Sequence, residues 1–470
     1  MQFDSFLFVV FLTAVVFAYY ATPNWELRKG VLLGASYLFY AAWSPPLIVL
    51  IWISTIVDYV IAKKIYKTNH SLARKLLLTL SLTVNLGLLG YFKYAQFLLD
   101  SFSQLLAQIN IVYQAPEMSI ILPIGISFYT FQTISYTVDV YRRQLEPNQK
   151  FRDFALYVTF FPQLVAGPIV RAKDFLPQCL IQPDFNLRAI FWGINLIIFG
   201  LFAKIVLADF AMAPTVDQVF SAPSNATTLD VWLGTIAFSG QIFFDFAGYT
   251  LCALGTAMIL GFTLPDNFRS PYAATGFSDF WRRWHISLSS WIRDYVYIPL
   301  GGNRMGKSRT LFNLLCTMVL GGLWHGASWN FAIWGGLHGL YLIAEQVISR
   351  LLGGRFSGAL YQAFLIILTF LLVTLAWVPF RAVSVGDTLE IFGKMIALEP
   401  GSSIDQNTGT LILLITLATL LWHAFTRNKT LEHRWSALPA LLKIATLVSF
   451  IVLIVLTSNG DSRAFIYFQF

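Results

Sequence analysis

Leu320-Gly-Gly-Leu-Trp-His-Gly-Ala-Ser-Trp-Asn-Phe-Ala-Ile-Trp-Gly-Gly-Leu-His-Gly339 decides how this chain is to be read. The stretch lies inside an uncharged run, residues 310–344, that is long enough for a bilayer-spanning helix of about 20 apolar residues. It holds His325 and His338 among Gly321, Gly322, Gly326, Gly335, Gly336 and Gly339. His325 stands 16 positions beyond Arg309, the last charge before the run. At 1.5 Å per residue a helix would carry it roughly 24 Å along its axis, well into a hydrocarbon layer of about 30 Å. An ionisable side chain at that depth faces the bundle interior or a water-filled cavity and is a functional candidate by default.

Outward from this run, the rest of the chain repeats the pattern. Uncharged runs recur at 5–25, 31–57, 76–92, 118–138, 154–170, 246–265, 356–380, 406–426 and 444–460, with two more at 189–207 and 231–244 that carry or abut one charge. Apolar residues make up 57% of the 470 and charged residues 12%, with 42 Phe and 14 Trp. Soluble domains carry about 25% charge, so a set of soluble domains is excluded, as are disorder, collagen and coiled coil. The expectation is an all-α polytopic membrane protein with about 10 to 12 transmembrane helices plus re-entrant and interfacial ones. No A-x-A site follows the first apolar run and Asp4 precedes it, which reads as a retained helix and not a cleaved signal.

The net charge of +8 is read through the positive-inside rule and not as nucleic-acid affinity. Two basic loops, 63–75 and 269–309, are expected on the cytoplasmic side. Cys179, Cys252 and Cys316 have no paired spacing, so neither a disulfide framework nor a metal site is supported. No linker, like-charge block or repeat divides the chain, and a single membrane domain over 1–470 is expected. Within it, 266–309 would be a cytoplasmic-side amphipathic or re-entrant segment and 310–348 the histidine segment.

In the longest polar interval, residues 277–294 have a helical period. Phe277, Phe280, Trp281, Trp284, Leu288 and Trp291 fall on one face at 100° per residue. Arg282, His285, Ser289 and Arg293 fall together on the other, and Ser278 is placed to cap the helix with Asp279 in its first turn. Periodicity alone favours an interfacial helix anchored by its tryptophans. The competing reading has the polar seam line an entrance for a phosphorylated donor or a polar acceptor, and His285 is the residue that an anchor would not need.

The glycines near His325 and His338 permit close helix approach or a broken helix. Asp245, in Phe243-Phe-Asp-Phe246, is expected to pair with Arg or His, to accept hydrogen bonds or to be protonated, in a supporting role. The chain has no H-E-x-x-H, G-x-S-x-G, Walker A or dinucleotide fingerprint. Without a nucleophilic Ser or Cys motif, the economical chemistry is direct transfer, in which a histidine deprotonates a hydroxyl that attacks an activated acyl group. A proton-coupled transporter is the alternative from another class, since intramembrane His and Asp also serve proton relays. Transporters often carry repeats, and none is found here.

Phe280-Trp-Arg-Arg-Trp-His-Ile-Ser-Leu288, Asp294-Tyr-Val-Tyr-Ile-Pro-Leu-Gly-Gly-Asn303 and Gly322-Leu-Trp-His-Gly326 resemble the membrane-bound O-acyltransferase family, in its bacterial polysaccharide O-acetylation branch. Pro123-Ile-Gly-Ile-Ser-Phe-Tyr129, Phe161-Pro-Gln-Leu-Val-Ala-Gly-Pro-Ile169, Phe244-Asp-Phe-Ala-Gly-Tyr249 and Phe465-Ile-Tyr-Phe-Gln-Phe470 add to the likeness. Leu251-Cys252 departs from it, because alginate-type members often carry an acidic residue there.

The resemblance implies a funnel-shaped helical fold in a bacterial inner membrane, with His325 catalytic, His285 the second family histidine and His338 the one that follows it in this branch. It implies acetyl-CoA as donor, with no bound cofactor, its phosphates met by the basic loop and by Arg282 or Arg283. Trp284, Trp324 and Asn330 would serve as wall or donor groups. The implied partners are membrane lipid and either a polysaccharide acceptor such as alginate or a periplasmic acetyltransferase. O-acetylation of peptidoglycan and D-alanyl transfer to teichoic acid are the alternatives within the class.

Overall fold

The computed structural model describes residues 1–165, 167–352, 358–458 and 463–466. Residue 166 of the Phe161–Ile169 motif and residues 467–470 of the terminal motif lie outside the described residues. Among those described there is no strand. Among the described residues eight helices are long and apolar enough to cross a membrane, beside the 10 to 12 expected from the uncharged runs. The difference has local causes. Helix Phe6–Ala21 has only 16 residues, and the run 118–138 yields one 16-residue helix, almost wholly enclosed by protein. The run 31–57 is interrupted by a turn at Pro45–Leu47.

Contacts divide the chain into two compact units: residues 1–194 with 253–265, and residues 195–252 with 266–470. In the first unit, α1 (Ile48–Lys67), α2 (Ser71–Leu89) and α3 (Ile126–Tyr141) enclose Asp58, which is fully buried. Its carboxylate accepts from Ser81, from Thr137 Oγ1 at 2.9 Å and from Asn85 Nδ2 at 2.7 Å. Three donors from two neighbouring helices offset the desolvation of one charge and cross-link the helices, because a buried polar group must find partners.

The second unit contains every histidine discussed above. Its first long element includes an 11-residue π-helix, Phe202–Met212, followed by α4 (Thr228–Ile259), whose residues 228–252 belong to this unit. The segment 277–294 is not the single amphipathic helix that its period predicts. It forms α5 (Phe277–Trp281) and α6 (Ile286–Ile292), then a π-turn at Arg293–Tyr297.

The break is at His285, whose φ of 42° and ψ of 54° put it in the left-handed region, which a right-handed helix of L-residues cannot absorb. Main-chain bonds to the preceding loop hold the break open: Arg269 N donates to Arg283 O and Ile286 N to Asn267 O. Ser278 is not the cap either. Its N–H donates to the Glu345 carboxylate at 2.8 Å, and Asp279 instead accepts the Thr275 N–H. Phe277, Phe280, Trp284, Leu288 and Trp291 are buried as the period requires and Trp281 is half-buried, but His285 is buried with them, while Arg282 and Arg293 are exposed. Trp284 and Trp291 lie inside the protein and not at a headgroup level.

The decisive run folds as a helical hairpin, α7 (Lys307–His325) and α8 (Trp329–Leu352), with His325 the last residue of α7. Glycines set how closely the two helices approach. A Cβ on Gly322 would stand 2.1 Å from Phe331 O, and one on Gly335 would stand 2.3 Å from Met318 O. α9 (Ala359–Arg381), α10 (Val385–Ala397) and α11 (Gln406–Thr426) follow in the unit, with helices Leu431–Ser436 and Ala440–Thr457 after them. α10 starts with a reciprocal Ser384–Asp387 capping box.

Candidate active site

The end of α7 and the start of α6 bring His325 and His285 together. Their ring centroids are 6.5 Å apart, and both residues are at most 4% exposed. Trp324 stands between them in packing terms, 5.0 Å from His325 and 6.0 Å from His285. Trp334 from α8 and Phe380 from α9 close on His325 at 5.0 and 5.3 Å. Phe246 from α4 meets His285 edge-on at 4.7 Å. Two imidazoles are thus enclosed by aromatic rings, a setting of low dielectric in which electrostatic and proton-transfer effects are larger than in water.

Burial pushes the His285 imidazole down to about 3, so it is neutral at physiological pH. Asn267, itself fully buried, sits beside it, with Oδ1 3.3 Å from His285 Nδ1. Asn267 was not singled out by the sequence: it is one amide in a polar interval, and only the left-handed break at His285 brings the two together.

His338 lies beyond Trp334, and that ring is shared: His325 and His338 both meet it edge-on, at 5.0 and 4.9 Å. Phe280 stacks on His338 at 6.0 Å and Trp281 meets it at 5.0 Å. Neither ring nitrogen of His338 has a hydrogen-bond partner among the described residues.

The other candidates are placed as follows. Trp284 is 1% exposed and packs on Phe280, Phe268 and Trp377, forming the floor under the loop that carries His285. Arg283 Nε donates to Asp279 at 2.9 Å and Nη1 to Arg427 O at 3.0 Å, while Arg427 also donates to Asp279 and Thr275. This clamp fastens the loop to the end of α11, and Arg282 beside it points to the exterior. Asn330 Nδ2 donates to Ala382 O at 2.8 Å and Oδ1 accepts from Thr388, which ties α8 to the chain after α9 and to α10.

Of the alternatives for Asp245, it accepts a hydrogen bond, and its ion-pair partner is a lysine in place of Arg or His. Lys204 Nζ lies 2.7 Å away, and Ile466 N donates to the same carboxylate. Lys204 also pairs with Asp209 at 2.9 Å. The residue after Asp245 is Phe246, so the ion pair fixes the helix turn that packs against His285. No group of His, Cys, Asp and Glu suited to a metal ion occurs among the described residues.

Residues 148–380, which contain both site histidines, match the family described as MBOAT, membrane-bound O-acyltransferase. The chain is 39% identical to the protein described as Probable alginate O-acetylase AlgI of Azotobacter vinelandii, over 90% of this chain and 83% of that one. The chain belongs to the membrane-bound O-acyltransferase family. This membrane-bound O-acyltransferase is also 36% identical to the peptidoglycan O-acetyltransferase of Helicobacter pylori, over 84% of this chain and 78% of that one. It is 30% identical to the teichoic acid D-alanyltransferase of Bacillus subtilis over half its own length and 62% of the other. It is therefore a multi-pass membrane enzyme that transfers acyl groups, and the transporter alternative falls away.

Proposed function

We propose that this enzyme takes an acetyl group from a cytoplasmic thioester, acetyl-CoA, and passes it towards hydroxyls of an exported or cell-surface polysaccharide such as alginate. The transfer is made directly or through a periplasmic acetyltransferase partner, in a bacterial inner membrane. The observation that carries this reading is the pair of buried imidazoles, His325 and His285, on a membrane scaffold. The relatives described as alginate O-acetylases support the acceptor. The Helicobacter pylori relative supports peptidoglycan as the second reading.

In the proposed reaction His325 takes the proton of the acceptor hydroxyl as its oxygen attacks the thioester carbonyl. The tetrahedral intermediate collapses by breaking the C–S bond, and the proton on His325 goes to the departing thiolate, leaving an O-acetyl ester and free thiol. General base catalysis of this kind is worth about 10² to 10⁴ in rate. The aromatic enclosure adds orientation and excludes the water that would hydrolyse the thioester.

The purified protein in detergent, given acetyl-CoA and oligomannuronate, tests this. Release of free thiol coupled to ester formation, lost in His325→Ala, is expected. Transfer that persists in His325→Ala overturns the assignment of the base. Ester formation only with a muropeptide acceptor moves the enzyme to the second reading.

A further inference from the structure

His285 reaches the site on a loop in the left-handed conformation that L-residues disfavour, and one residue holds that conformation from two directions. Asn267 accepts the Ile286 N–H with its main-chain oxygen, at 3.0 Å. With its side-chain Oδ1 it accepts the Ser287 N–H at 3.3 Å and the Ser287 hydroxyl at 2.6 Å. Asn267 Nδ2 points the other way, to Thr250 Oγ1 at 3.5 Å.

A side-chain amide can ordinarily be turned over without visible change, and its partners must decide which end is oxygen. Here they do. A backbone N–H can only donate, so the atom facing Ser287 N is the oxygen. His285 Nδ1 lies 3.3 Å from that same oxygen, and an oxygen cannot donate. The proton between them must therefore belong to the imidazole. In a neutral imidazole, a proton on Nδ1 puts the lone pair on Nε2, because the hydrogen bond made by one ring nitrogen sets the role of the other. Phe246, Trp324 and His325 also pack on the imidazole, and of these His325 is titratable, with its ring centroid 6.5 Å away.

We infer that Asn267 is a positioning residue that fixes His285 as the Nδ1–H tautomer, so that His285 meets the reacting groups through Nε2 as a hydrogen-bond acceptor and not as an oxyanion donor. The inference rests on the proposed acyl transfer only for the role of His285. The tautomer itself follows from Ser287 and Asn267.

Two replacements separate this from a packing role. Asn267→Leu keeps the branched four-atom outline and removes the oxygen, and kcat with acetyl-CoA is expected to fall about 10-fold to 100-fold at unchanged KM, as for other residues that orient an imidazole. Asn267→Asp keeps the oxygen and adds a charge opposite Nδ1, which favours imidazolium. The acidic limb of its pH–rate profile is expected to rise by at least about one pH unit.

The same variant carries a readout that needs no turnover. Wild type, with a buried neutral His285, should lose melting temperature as pH falls below the imidazole's unfolded value of about 6.5. Asn267→Asp raises the folded value and should weaken that loss, a difference absent when the two are compared in the His285→Gln background.

A wild-type-like kcat in folded Asn267→Leu overturns the inference, and so does a melting curve of Asn267→Asp that titrates like wild type. An enzyme that shows the weakened melting titration yet never turns over acetyl-CoA keeps the tautomer assignment and overturns the donor assignment instead.

Discussion

His325 closes α7 and His285 opens α6, yet their ring centroids lie 6.5 Å apart with Trp324 packed against both. In the proposed reaction such a pair would divide the labour of acyl transfer, one imidazole moving the proton and the other orienting the hydroxyl. Replacing His325 by Ala should lower turnover by about 10² to 10⁴ while the KM for acetyl-CoA changes less than threefold. Steady-state kinetics on matched amounts of monodisperse protein would check this, and a large rise in KM with intact kcat would move His325 from chemistry to binding.

The hairpin that carries His325 depends on missing side chains at particular crossings. Gly322→Ala puts a methyl group 2.1 Å from Phe331 O, where main chain must move. Gly336→Ala meets nothing within 4 Å. Size-exclusion profiles in detergent should show the first variant aggregated or absent and the second indistinguishable from wild type.

Lys204 is the cation that makes the buried Asp245 tolerable. Lys204→Met removes the cation from the buried carboxylate of Asp245, and breaking a buried pair in this way costs about 3–5 kcal/mol. A fluorescence melting curve should fall accordingly. An unchanged midpoint would mean that the carboxyl of Asp245 is protonated in the folded enzyme and needs no partner.

Asp279 gives the loop clamp a pH signature. Burial opposes its charge, but Arg427, the Thr275 N–H and Arg283 outweigh burial and hold its carboxyl below the ordinary range. A depressed carboxyl stabilises the fold above its unfolded value of about 3.9, and the contribution is lost as pH falls through the lower folded value. Wild type should therefore lose melting temperature below about pH 4 more steeply than Asp279→Asn, which starts lower and has no such slope to lose.

The sequence was most informative where one property decided the outcome. Absence of charge marked the membrane helices, and a histidine beyond Arg309 marked the buried end of α7. The apolar period of 277–294 named the side chains that face inward, because burial follows hydrophobicity whether or not the helix is continuous. It could not show the break at His285, since nothing in a run such as Trp281-Arg-Arg-Trp-His285 announces a left-handed residue. That conformation is imposed by Asn267 and Arg269, which pair with the main chain from a separate loop. Asp245 showed the same limit: its need for a partner was legible, but the identity of that partner depended on a helix whose winding departs from 3.6 residues per turn.

That winding matters beyond the ion pair. In an α-helix, residues five apart point about 140° away from each other, so Lys204 and Asp209 would part; over Phe202–Met212 the wider π-turns bring them to 2.9 Å. A π-segment is what an α-helix becomes when it accommodates an extra residue. Removing one residue between 205 and 208 would not simply shorten the element. It would let the winding relax towards α about the same axis, with the helices on either side keeping their register. Winding and identity therefore present the lysine together: the π-turns carry Asp209 to it, and its own place on the helix carries it to Asp245.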